Sequence, residues 1–147
     1  MTMATTDGQE RRIVVGVDGS NASKAALAWA VGQAARTEAV LEVVTAYYWF
    51  PMPIEDLDFR GLATDIAEDA ILEVTYDGPP VKIISKIVRG NAAKVLLDAA
   101  RGAELLVVGN RGHGGFTQAL LGSVSQNSVQ YATCPVVVIR DPATSKR

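Results

Sequence analysis

Ile13-Val14-Val15-Gly16-Val17-Asp18 is an unbroken apolar run closed by a carboxylate, and Gly19-Ser20 lead from it into Ala22, Ala26, Leu27, Ala30 and Ala34 at helical spacing. A strand with one wet face would alternate; a continuous run is expected of a parallel strand covered on both faces. The stretch therefore reads as central strand, tight turn and helix. Ser20 or Asn21 is available to cap the orphan amides of that helix. Its alanine-rich face predicts close packing on a sheet, with Trp29 on the flank.

Working outward, the same unit recurs. Val40 to Tyr47 is a second strand, and Tyr48-Trp49-Phe50-Pro51-Met52-Pro53 is an exit that cannot continue a central strand. Leu62, Ile66, Ala70 and Val74 form a stripe at four-residue spacing, with Ala63, Ala67 and Ile71 beside it, and the stripe is expected to face the core. Asp77-Gly78-Pro79-Pro80 ends that helix, and Val81 to Val88 reads as a strand. Asn91 caps a helix with Val95, Leu96 and Ala99 inward and Gly102 at its end. Leu105 to Val108 is a fourth strand, a glycine-rich loop runs from Gly109 to Gly122, and a short helix carries Val124, Ser128 and Val129. Val136 to Arg140 is the last strand. Alternation over the whole length predicts an α/β domain: a three-layer, doubly wound, five-stranded and mainly parallel sheet. In such sheets ligands sit beyond the carboxyl ends of the strands where the winding reverses, which directs attention to Gly16-Val17-Asp18 and Gly109-Asn110-Arg111.

Composition narrows the function. The 147 residues are 48% apolar, with 14 basic and 16 acidic side chains, enough for one domain with a substantial core. A formal charge of -2 supplies no basic field for nucleic acid. The short apolar runs predict no membrane span, and an opening Met-Thr-Met-Ala-Thr-Thr-Asp without a signal layout predicts a cytoplasmic protein. Residues 1–11 are expected to be a mobile lead, 12–141 the domain and 142–147 a tail. With one cysteine, Cys134, and one histidine, His113, neither an internal disulfide nor a His/Cys metal cluster can form. Cys134 is expected to be a small buried residue, and His113 an exposed loop residue without an orienting carboxylate.

The strongest chemical signal is Gly109-Asn110-Arg111-Gly112-His113-Gly114-Gly115, continuing to Gly122-Ser123-Val124-Ser125. Glycines leave N–H groups uncovered, so such a turn can form a nest of donors for phosphate oxygens. Gly122-Ser123 then opens a helix whose first amides, with the Ser123 and Ser125 hydroxyls, offer a second anion-binding surface. The Walker pattern is excluded, because no lysine lies between Lys94 and Lys146. The dinucleotide pattern would need glycine at position 117, which is Thr117.

The spacing Gly109-x2-Gly112-x9-Gly122-Ser123, with the opening Val15-Gly16-Val17-Asp18-Gly19-Ser20 and the closing Cys134-Pro135-Val136-Val137-Val138-Ile139, resembles the ATP-binding subclass of the universal stress protein family over residues 12–140. That resemblance implies strand order 3-2-1-4-5, the adenine nucleotide alpha hydrolase-like arrangement, with nucleotide at the ends of the first and fourth strands, and a dimer. Carried over by position, Gly16, Val17 and Asp18 match the first-strand end and Ala46 the backbone that holds adenine. Gly109, Asn110, Arg111, Gly112, His113, Gly114 and Gly115 match the phosphate loop, and Gly122, Ser123, Val124 and Ser125 the helix start.

Asp18 beside a triphosphate is repulsive unless it faces a ribose hydroxyl or a divalent cation such as Mg2+, or else serves the turn at Gly19-Ser20. The gross gain from three or four charge-assisted donors at about 1.5–3 kcal/mol each is consistent with micromolar ATP, about 8 kcal/mol. A nucleotide-dependent stress or signalling module is the leading expectation; a slow ATPase, or an AMP- or cyclic-AMP-binding member of the same fold, is the alternative. A pyrophosphatase-type Ser-Gly-Gly-x-Asp-Ser loop is poorly matched by Asp18-Gly19-Ser20-Asn21-Ala22-Ser23, so no catalytic residue is assigned. A phosphoacceptor domain would need an aspartate ending the third strand, where Ile87-Val88-Arg89-Gly90 stands. In the implied order Val136–Ile139 is an edge strand, and a bare apolar edge predicts a homodimer through it.

Overall fold

The computed structural model describes residues 11–47, 58–111 and 122–141. In chain order the elements are β1 (Arg12–Gly16), α1 (Asn21–Thr37), β2 (Val40–Tyr47), α2 (Phe59–Thr75), β3 (Ile83–Arg89), α3 (Ala92–Ala99), β4 (Leu105–Gly109), α4 (Ser123–Tyr131) and β5 (Val136–Ile139). The strands form one parallel sheet of order β3-β2-β1-β4-β5, as the apolar runs and the resemblance together implied. β1 is central, in register with β2 from Arg12↔Val40 and with β4 from Ile13↔Leu105. The first, third and last strands are shifted by a residue or two from their expected bounds. Residues 1–10, the aromatic exit Tyr48–Pro53 and the tail 142–147 lie outside the described residues.

Side chains of successive strand residues point to opposite faces, and this divides the core. Ile13, Val15, Leu41, Val43 and Val107 meet Ala26, Leu27, Ala30 and Ala34 of α1 on one face. Val14, Val44, Leu106 and Val108 meet Val95 and Leu96 of α3 on the other. The alanine stripe of α1 is buried, as its small residues predicted, and Trp29 packs partly buried against that cluster.

The phase of α2 is a correction. Of the expected stripe, Leu62 is 51% and Ile66 39% exposed, whereas Ala70 is buried and Val74 packs against the core as expected; Ala63 and Ala67, expected only beside the stripe, complete the buried row. Both rows are apolar, and the helix presents its small side chains to its neighbours, with Ile71 and Val74 packed at the margin of the core. The larger residues stay outside.

Arg12 ties two distant segments together. Its guanidinium donates to Ala99 O at 2.6 Å and to Arg101 O at 2.5 Å, closing the carboxyl end of α3, and pairs with Glu42 at 3.2 Å. Glu42 is 5% exposed and takes a second cation, Lys86, at 3.3 Å, so the buried carboxylate is paired on both oxygens. Cys134 is partly buried against the α3 face, and burial raises its thiol pKa, consistent with an unreactive packing residue. Among the described residues no helix is long and apolar enough to cross a membrane.

Candidate functional site

The carboxyl ends of β1 and β4 open into a cavity of about 240 Å³ on the side of the sheet that carries α3 and α4. Its floor is Gly16, Val17, Val44, Ala46, Val108 and Gly109. Ala92 and Leu96 of α3 form one wall; Gly122, Ser123, Val124 and Ser125 at the start of α4 form another. Half-buried Asp18 and Arg111 and buried Ser23 complete the lining. Two wider hollows, along the carboxyl half of α2 and between α3 and α4, lie open on the surface away from the strand ends.

The turn after β1 is tightly wired. Asp18 Oδ1 accepts the Ser20 N–H at 2.9 Å, and the Asp18 N–H donates to Ser23 Oγ at 3.3 Å. Ser20 caps α1 by accepting the Ser23 N–H at 3.2 Å, while its hydroxyl reaches Arg111 O at 3.4 Å across the cavity mouth. Gly19 takes φ +84°, a left-handed conformation that its lack of Cβ permits. Asp18 thus fulfils its turn role and still lines the cavity.

The glycines of the floor are explained by protein neighbours. A Cβ on Gly109 would sit 2.7 Å from the Ala22 carbonyl carbon and 2.8 Å from Ala22 Cβ, so β4 can end against the first turn of α1 only with glycine there. A Cβ on Gly16 would meet Leu96 Cδ1 at 2.6 Å. Their expected role, to let backbone approach a ligand, is thereby supplemented: they let two helices approach the sheet.

α4 differs from the other helices at its start. Ser20, Asp58 and Asn91 each cap their helix with a side-chain oxygen, whereas Gly122 offers no side chain and makes no such bond. The amino end of α4 therefore meets the cavity with its dipole and its first-turn amides unscreened by a cap. The Ser125 hydroxyl is 1% exposed and spends its proton on Asn110 O at 3.2 Å and Gly122 O at 3.0 Å.

Of the expected site residues, Gly16, Val17, Asp18, Ala46, Gly109, Arg111, Gly122, Ser123, Val124 and Ser125 come together around the one cavity. Asn110 does not line it; it is buried and bonded elsewhere. Gly112, His113, Gly114 and Gly115 lie outside the described residues. Sequence reasoning missed Ser23, Val44, Ala92, Leu96 and Val108. Ser23 could have been found from its place three residues after its cap, where a helix start meets the strand end.

The lining chemistry is apolar on the floor and the α3 wall and polar toward α4 and the β1 turn. Among the described lining residues Asp18 is the one carboxylate and Arg111 the one cation. No group of three or more His, Cys, Asp or Glu among the described residues could hold a metal by itself.

The architecture has known counterparts. Among curated proteins, a universal stress protein of Mycobacterium tuberculosis is 32% identical over 142 residues, covering 92% of this chain and 47% of its own length. One from Mycolicibacterium smegmatis is 36% identical over 136 residues, covering 87% and 45%. The chain thus spans about half the length of these relatives. Among solved structures, the universal stress protein UspA from Lactobacillus plantarum superposes with a TM-score of 0.74 at 26% identity, covering 90% of this chain and 99% of that one. A universal stress protein in complex with cAMP is 32% identical with a TM-score of 0.61, covering 90% and 98%. Residues 10–140 match the model of the universal stress protein family, and this chain belongs to that family.

Proposed function

We propose that this chain is an adenine-nucleotide-binding module, with ATP as its ligand, whose occupancy changes its shape or its partners. The observation that carries the reading is the split cavity: an apolar slot at Val44, Ala46, Leu96 and Val108 continues into an uncapped helix start at Ser123. A flat aromatic base fits the first part and a polyanion the second. Arg111 in the lining adds charge-assisted donors for phosphate oxygens.

Asp18, the carboxylate of the lining, suits a ribose hydroxyl or a Mg2+ ion held chiefly by phosphate oxygens, because Mg2+ commonly takes one or two carboxylates and completes its octahedron elsewhere. The residues Gly112, His113, Gly114 and Gly115 complete the phosphate side in this reading. No described lining residue is set to activate water, so the module is proposed to bind and not to turn over its ligand. β5 is an edge strand with partly exposed side chains, which supports an antiparallel homodimer through Val136–Ile139.

A second reading, with cyclic AMP as ligand, is favoured by the relative solved in complex with cAMP at 32% identity. Titration calorimetry with ATP, AMP and cyclic AMP decides between them. The expected result is saturable ATP binding at about micromolar concentration; absence of saturation by any of the three below about millimolar removes the nucleotide reading. The ultraviolet spectrum and mass of material released from freshly purified, denatured protein name the ligand independently. Light scattering at tens of micromolar tests the dimer, and a clean monomer refutes it.

A further inference from the structure

Asn110 is 6% exposed and sits at the point where three segments meet, but it does not line the cavity. Its backbone N–H donates to Ile139 O at 2.7 Å, continuing the β4–β5 ladder by one rung. In a parallel ladder the next rung would run from the Asp141 N–H to Asn110 O. Here the side chain takes that rung: Asn110 Oδ1 accepts the Asp141 N–H at 2.9 Å. The substitution of a side-chain carbonyl for a main-chain one releases Asn110 O, which accepts the Gly122 N–H at 2.7 Å and the Ser125 hydroxyl at 3.2 Å. One residue therefore holds the exit of β5 with its amide and side chain, and the first turn of α4 with its carbonyl.

We propose that Asn110 is a positioning residue that makes the α4 lip of the cavity and the exit of β5 a single unit, so that ligand on the first and order in the second reinforce each other. The proposal rests on the nucleotide reading above and deepens it. An anion bound at Ser123 and Val124 fixes the turn that Asn110 O already grips. That grip is available only while Oδ1 satisfies Asp141, because a part-buried N–H left unmade is costly and would draw the main-chain carbonyl back into the ladder. Coupling of this kind is reciprocal in binding free energy.

Hydrogen exchange of the full chain, with and without saturating ATP, tests it, beside ATP titration of each variant. In the unaltered protein ATP is expected to slow exchange over residues 136–141 by about tenfold. Asn110→Ala is expected to weaken ATP by about tenfold and to abolish the slowing at 136–141 even at saturation. Should that variant fail to fold, Asp141→Pro, which removes the donor, is expected to abolish the slowing, whereas Asp141→Ala, which keeps it, is expected to retain it. ATP binding without any slowing at 136–141, or slowing that survives in Asn110→Ala or Asp141→Pro, overturns the coupling and leaves the nucleotide reading intact. Failure of the unaltered protein to bind ATP overturns both.

Discussion

The two faces of the sheet solve opposite problems. On one, α1 and α2 are 17 residues each, about 25 Å of helix, and α1 buries five apolar side chains between Ala26 and Ala34. On the other, α3 and α4 are 8 and 9 residues, about 12–14 Å, and the residues α4 buries are Ser125 and Ser128. Long helices with small inward residues seal a face. Short helices, one of them burying hydroxyls that bond back to carbonyls at Gly122 and Val124, leave room at the strand ends. The larger buried cluster lies on the first face and the cavity on the second.

Substitutions can break or sharpen that contrast. The largest effect is expected at Leu27, fully buried on the sealed face: Leu27→Ala should cost about 3 kcal/mol by urea unfolding, with ATP affinity unchanged in the folded protein. Gly109→Ala forces a Cβ into the Ala22 backbone and should cost about 2 kcal/mol, seen as a lower urea midpoint at unchanged slope. Leu96→Ala removes a side chain that already borders the cavity, so the low end of the range for such a change, about 2 kcal/mol, is expected, together with about tenfold weaker nucleotide binding by calorimetry. Equal affinity losses from Leu27→Ala and Leu96→Ala would erase the division of labour.

Thr45 runs the other way. It is 2% exposed on the sealed side of β2, in phase with Leu41 and Val43, and its hydroxyl has no hydrogen-bond partner among the described residues. Thr45→Val should raise stability by about 1 kcal/mol. The smallest effect is expected on the outer row of α2, where Ile66→Ser should shift the stability by no more than about 0.5 kcal/mol.

Much of the fold is legible in the amino-acid order. The strands announce themselves because doubly covered parallel strands are apolar throughout, and Asn91 and the pair Ser20-Asn21, of which Ser20 is the cap, do so because a helix start needs an acceptor. Strand order follows from the resemblance carried by Gly109 to Ser123; periodicity alone does not order a sheet. The phase of α2 is harder to read, because bulk at Leu62 and Ile66 points inward while the small-residue rule that holds for α1 points to Ala63 and Ala67, and the small residues win. Asn110 stands among cavity-lining neighbours yet turns away from the cavity, since the direction of its amide depends on a strand exit 31 residues away. Leu96 enters the site through packing on Gly16, a relation no spacing rule contains.

The guanidinium of Arg12 is satisfied by carbonyls 87 and 89 positions downstream, and β1 pairs on its second side only with residues 105–107. β1, α1 and β2 lie within residues 12–47, yet the middle strand of the sheet keeps one hydrogen-bonding side bare until residues 105–107 join it. Late closure of so long a loop slows folding and leaves an unpaired flank open to the wrong neighbour. The flank of β1 that awaits β4 is therefore the exposed edge of the folding chain, and sheltering it would protect the sheet before the cavity exists.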